Sequence, residues 1–368
     1  MASNTKKVGK KLILTLITMV ITGTAWATPS ALELAAQTGE AKKAFQLKGK
    51  HARQQLVATV AEAGKEVDVT RSVKYSANPI NVVAISSKGL VTPLGDGEAI
   101  ITAVTGRLKS EVKVKVVEYE VVQPINFANE IVPIFTKAGC NGGGCHGKSG
   151  GQNGFRLSLL GFEPHEDYEY LVKEGRGRRL SPASPENSLL LLKGAAILPH
   201  GGGSRIEPDS YDFKLIARWI GMGMPRGVET DPKVVALEVY PKNRLVSANA
   251  EQQISVTAVY SDGHTEDATH IATYEANDKE IAEVDETGHV TFFEQPGDVS
   301  VMVRYQGSVG VYQASVPLGA PVEKTPEPRN FIDEIVFAKL QRVGMPPSAI
   351  TDDATFIRRA SIDIAGRL

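Results

Sequence analysis

A small set of motifs recurs along this chain at one fixed offset, and that recurrence constrains the fold more than any other feature. Asp68-Val69-Thr70 returns as Asp267-Ala268-Thr269, Tyr75-Ser76-Ala77-Asn78 as Tyr274-Glu275-Ala276-Asn277, and Gly89-Leu90-Val91-Thr92 as Gly288-His289-Val290-Thr291, each 199 residues later. One module is therefore built twice. In the first copy, residues 44–118, β-type runs such as Gln55-Leu56-Val57-Ala58-Thr59-Val60 and Glu111-Val112-Lys113-Val114-Lys115-Val116 alternate with turn signals at Asn78-Pro79, Lys88-Gly89 and Gly95-Asp96-Gly97. The second copy, residues 233–317, has its own hairpin turn at Asp262-Gly263. Short strands with turns every eight to twelve residues or so predict a small β-sandwich for each copy. Two such copies flanking a block of different composition are easier to build as serial domains than as one core, and 368 residues suffice for two or three cores, so the expectation is a bead-like chain.

The ends carry different signals. Lys6, Lys7, Lys10 and Lys11, the apolar run Leu12 to Ile21 and the small-residue site Ala25-Trp26-Ala27 make residues 1–27 an export signal. Residues 28–43 read as an Ala-rich polar tether and 318–328 as a stiff Pro-rich linker. Residues 329–368 read as the truncated start of a helical domain, capped at Asn330. No stretch after the signal approaches the roughly 18 apolar residues of a spanning helix, so no transmembrane segment is expected after cleavage. The chain should be exported: periplasmic, on the cell surface or secreted. With 41 Lys plus Arg against 42 Asp plus Glu, net charge −1, nucleic acid is not an expected partner.

Chemistry concentrates in the block between the repeats, residues 126–228. Its centre is Cys140-Asn141-Gly142-Gly143-Gly144-Cys145-His146-Gly147. Two thiols followed by an imidazole suit covalent attachment of haem c, the thiols adding to the vinyl groups and His146 binding the iron. Four residues separate the cysteines rather than the usual two, and three glycines let the longer loop bulge. The alternative is a Cys140–Cys145 disulfide with His146 an ordinary loop residue. Helical spacing of Phe127, Ile131, Ile134, Phe135 and Ala138 after the N-cap Asn126, interrupted by Pro133, predicts a helix entering the motif. Asp209 and Asp212 precede a second helix through Leu215, Ile216, Trp219 and Ile220, stopped by Gly221. His200, in the loop before that helix, is the expected second axial ligand, with Met222 and Met224 behind it as weaker candidates and an open site also considered. Arg205 beside this loop is the expected propionate partner. The cluster Arg176, Arg178 and Arg179 could serve the same role or simply be solvated. His264, His270 and His289, on the second repeat, are explained by strand or turn positions.

These residues carry two family resemblances. The Tyr-x-Ala-Asn strand and the Gly-x-Val-Thr strand make both repeats resemble the bacterial immunoglobulin-like domain of group 2. The run from Pro133-Ile134-Phe135 through Cys140, Cys145-His146-Gly147, Gly154-Phe155-Arg156-Leu157, Ser188-Leu189-Leu190, His200-Gly201-Gly202-Gly203 and Trp219-Ile220 resembles the planctomycete-type cytochrome-c-like domain. In that architecture such a domain stands beside group 2 Ig-like domains and ahead of an uncharacterised helical region. The resemblance implies two all-β sandwiches flanking a small all-α haem domain, an electron-transfer role rather than an enzyme, and a redox partner protein. The competing expectation is a haem-free extracellular adhesion or glycan-binding array, its Ig-like modules contacting cell-surface or polysaccharide ligands.

Overall fold

A computed structural model describes residues 31–37, 41–62 and 65–367; the export signal lies outside them. Each repeat folds into the same set of strands. In the first, Phe45–Lys48, Leu108–Val117, Gly97–Thr105 and Lys74–Asn78 form a four-stranded sheet in that spatial order. Ala31–Ala35, Val57–Glu62 and Lys65–Asp68 form a second sheet, and Gln54–Gln55, Leu90–Pro93 and Val83–Ile85 a third. The second repeat reproduces all three, its four-stranded sheet running Asn243–Leu245, Ser308–Val316, Gly297–Tyr305, Thr273–Ala276. Period-2 patterning drives the pairing: along Leu108–Val117, Ser110, Val112, Val114 and Val116 are buried while Lys109, Glu111, Lys113 and Lys115 face out. Ala31–Ala35 pairs antiparallel with Val57–Ala61, so the segment expected as a tether contributes a core strand, burying Leu32 and Leu34. Its Ala-Leu-Glu-Leu-Ala alternation is the signal that the composition-based reading passed over.

The middle block is built of short helical pieces and loops, with one isolated bridge, Gln152 to Phe155. Helices α1 (Val132–Lys137), α2 (Pro164–Tyr168), α3 (Leu189–Gly194) and α4 (Tyr211–Gly221) surround a core of Phe127, Phe135, Leu171, Leu191 and Trp219. Asn126 caps the entry through Asn129 N, and Pro133 falls in the first turn of α1. The cap of α4 is Ser210, whose hydroxyl accepts from Phe213 N, rather than the Asp209/Asp212 pair. An all-α haem domain was expected here. The described chain is mostly β, and the helices of this block are short segments that do not by themselves define a cytochrome-c fold. Residues 321–328 form neither helix nor strand and are mostly exposed. Helices α5 (Phe331–Val343) and α6 (Asp353–Ala365) follow, each capped by a side chain and closed by a left-handed glycine, Gly344 and Gly366.

The repeats stay in separate sheets, yet they are not strung out as beads. Asp267 of the second accepts from Gln54 Nε2 at 2.9 Å and Gln55 N at 2.5 Å. Asp68 of the first accepts from Gln252 Nε2 at 2.8 Å and Gln253 N at 3.2 Å. Contacts of this reciprocal kind are those of a two-fold interface, here within one chain. The recurring motif supplies the geometry. Each Asp also accepts from its own Thr70 or Thr269 N–H, each Thr hydroxyl accepts from Ala58 or Val256 N, and Tyr75 or Tyr274 donates to the Thr carbonyl. Arg244 with Glu66, and Arg71 with Asp285, flank the clasp. The middle block bonds to both repeats, through Lys137 Nζ to His270 O, Tyr305 OH to Asn129 O, and Tyr211 OH to His51 O.

Candidate functional site

The cysteine loop leaves α1 through a left-handed Gly139 and folds on its own backbone: Cys140 N donates to Phe135 O, Cys145 N to Gly142 O and His146 N to Cys140 O. Gly147 is where glycine is required, since a Cβ there would lie 1.9 Å from Asn141 O. Both cysteines are free thiols, so the disulfide alternative is not formed; the loop is already closed by its hydrogen bonds. Cys140 packs against the middle core, and burial pushes its thiol up to about 11, against the pull of Arg205. Such a thiol is protonated and inert at neutral pH. Asn141 is buried, with Nδ2 on Thr136 and Oδ1 unpartnered.

His146 is positioned by three contacts. Its Nδ1 lies 2.9 Å from Phe155 O, its ring sits 4.6 Å from the Phe155 ring, and its carbonyl accepts from Leu157 N. A carbonyl only accepts, so Nδ1 carries the proton and Nε2 keeps its lone pair. His200 is arranged the same way, with Nδ1 2.8 Å from Gly203 O. Burial is the main cause that lowers the pKa of His146, keeping it neutral. The two rings are nearly parallel, 7° apart in plane, with centroids 6.4 Å apart. That gap exceeds the 3.5–4.0 Å or so of direct contact.

The fold thus brings His200 beside His146. Met222 instead caps α4 and is exposed, while Met224 packs on the middle core with its carbonyl accepting from Tyr168 OH. Arg205 is exposed and donates from Nε to Gly202 O, with its guanidinium near Gly139. Of the cluster Arg176, Arg178 and Arg179, the first two are exposed but Arg179 is not. It is buried and donates to Tyr170 O, Glu174 O and Gly154 O while stacking over Phe155, which makes it a strut behind His146 rather than part of a solvated cluster. Lying in a turn immediately before the buried Leu180, it gave no periodic signal. Among the described residues no group of three or more His, Cys, Asp and Glu converges to hold a metal ion, and no helix is long and apolar enough to cross a membrane.

No family model matches the chain, and no curated protein matches it. Among solved structures it is similar to the S-layer protein SbsC: domains 5–6 at 11% identity and TM-score 0.31, covering 79% of this chain and 98% of that one. A longer SbsC crystal structure, rSbsC(31-844), gives 11% identity and TM-score 0.22 over 80% of this chain, which spans 29% of its length. The titin Ig tandem A164-A165 gives 7% identity and TM-score 0.15, covering 78% and 98%. No similarity to a cytochrome c is shown. The resemblance to the planctomycete-type cytochrome-c-like family is corrected accordingly, and so is the description of the chain as a haem-binding, iron-dependent cytochrome: a Cys-Cys-His spacing is a local pattern and does not by itself carry a family.

Proposed function

We propose that this chain is an exported, haem-free module of the cell surface, in which two Ig-like sandwiches clasped to each other carry a small helical block and present their outer faces to surface ligands such as polysaccharide or protein. The observation that supports the reading is the reciprocal Asp68/Asp267 clasp. It uses the residues that recur between the copies, so the repetition serves to build one rigid unit rather than two independent sites. Similarity to S-layer and Ig-tandem structures is in keeping with it.

One observation favours the cofactor expected at Cys140, Cys145 and His146, namely the parallel His146 and His200 rings with both Nε2 lone pairs free. In that reading the cysteines would carry the thioether links, the imidazoles the iron and Arg205 a propionate, and the group would supply one-electron chemistry. The deciding experiment produces the chain together with a haem-attachment system, records the reduced pyridine-haemochrome spectrum, and treats whole cells with added protease. Protein without a thioether-haem band that is cleaved on intact cells supports the proposal. A haemochrome band overturns its haem-free half, and protection from protease in cells with an intact outer boundary overturns its surface half.

A further inference from the structure

The two repeats share a fold and differ sharply in charge. Residues 44–118 hold 11 Lys plus Arg against 7 Asp plus Glu, net +4, whereas residues 233–317 hold 5 against 13, net −8. The clasp consumes little of this difference, since its flanking ion pairs are Arg71 with Asp285 and, in the opposite sense, Arg244 with Glu66. The remaining charge sits on outer faces whose side chains are exposed among the described residues.

On the first repeat the face is the outer side of the four-stranded sheet. Register places Lys109 opposite Val104 and Lys74 opposite Val104 on its other side, with Lys113 opposite Ile100 and Lys115 opposite Glu98. All of these side chains are exposed, including the apolar Ile100 and Val104. Lys109 pairs with Glu111 and Lys115 with Glu98, while Lys74 and Lys113 have no acidic partner among the described residues. The result is a flat lysine-bearing surface with apolar residues at its middle. On the second repeat a different sheet carries the opposite charge. Glu251 and Glu283 both lie opposite Thr291, which sets them in one cross-strand row, with exposed Glu280 and Glu294 beyond one end of the strand pair and Glu286 in the hairpin turn at the other. The first repeat has Arg53 and Ala84 in place of that glutamate row.

We infer that the lysine-bearing sheet face of the first repeat docks the glutamate row of the second repeat in another copy of this chain, joining copies head to tail. The inference rests on the surface-module reading and names its partner. Because the two patches are different surfaces, the contact is heterologous and does not close on itself unless the rotation happens to form a ring; it extends into rows. A four-stranded face with strands about 4.8 Å apart and about 3.3 Å per residue offers on the order of 500 Å² per partner, below the roughly 800 Å² of a standard stable interface. Individual contacts are therefore weak and sensitive to salt, and order comes from repetition.

The test uses the exported, processed chain in sedimentation velocity at low salt and at 0.5 M or so NaCl. Species larger than one chain are expected at low salt and lost at high salt. The face variant Lys74→Glu/Lys109→Glu/Lys113→Glu should be monomeric, and so should the row variant Glu251→Lys/Glu283→Lys. Combining all five substitutions in one chain should restore association, as should mixing the two variants, which a folding defect in either would prevent. A monomeric parent chain at low salt, or variants that associate as the parent does, overturns the inference. So does failure of the combined variant to recover association. None of these outcomes depends on whether the chain binds haem or where it resides, so they are separable from failure of the proposed function.

Discussion

Replacing Asp68 and Asp267 together by Asn should flatten the dependence of stability on pH across the acid range. An unperturbed Asp titrates at 3.8, and burial at the clasp pushes both carboxyls up to about 6, against the N–H donors that favour the charged form. Between those values the folded chain holds protons that the unfolded chain has released. The stabilisation is thus complete below 3.8 and is lost as pH rises through about 6. A move from 3.8 to about 6 corresponds to about 3 kcal/mol per group. Both side chains keep some contact with water, which screens part of this, so about 3 kcal/mol for the pair is the working figure. His270, lowered to about 3 by burial, acts in the opposite sense, gaining stability as pH rises towards its ordinary 6.5. It is present in both proteins and cancels in the comparison. Asn keeps the shape and does not titrate, so any cost of the substitution itself shifts its curve uniformly. Calorimetric unfolding of parent and double variant between pH 4 and 7 reads the difference, and curves that run parallel would refute the argument.

Trp219 is fully buried, with Nε1 on Pro225 O at 2.8 Å and its ring 5.3 Å from Phe127; Trp219→Ala should cost about 3–5 kcal/mol in urea unfolding of the middle block, and a loss under 1 kcal/mol or so would contradict the core described. Arg179→Ala removes three buried hydrogen bonds behind the His146 loop and should destabilise by about 2–5 kcal/mol, with Arg179→Lys recovering little because a single ammonium cannot span the carbonyls. Cys140, packed on the middle core with its thiol pushed up to about 11, should react with a maleimide at about pH 7.5 more slowly than Cys145, although both are partly exposed. Gly147→Ala, which drives a methyl into Asn141 O, should bring the two rates together, and equal rates in the parent would refute the raised Cys140 thiol.

Much of the fold was legible in the residues because its causes are local. Alternation along Glu111–Val116 marks a half-buried strand whatever lies beyond it, and Asn126 and Asn330 each cap a helix by bonding its first turn. Repetition at a fixed offset was visible for the same reason, since Asp-x-Thr and Tyr recur with their spacing intact. At the candidate site, the loop, its glycines and the pairing of His146 with His200 could be anticipated, because chain order puts His200 just ahead of the final helix of the block. The sequence alone could not show how that loop closes, because only the placed backbone brings Cys140 N to Phe135 O, His146 N to Cys140 O and Gly147 against Asn141 O. Nor could it show why Asp68 and Asp267 recur. Each looks like an ordinary strand-end Asp, and only packing brings Gln252 and Gln253 to one and Gln54 and Gln55 to the other, roughly two hundred residues away in sequence. Arg179 is the same case: its three carbonyl partners come from separate turns, and no periodicity announces a contact that only the folded backbone creates.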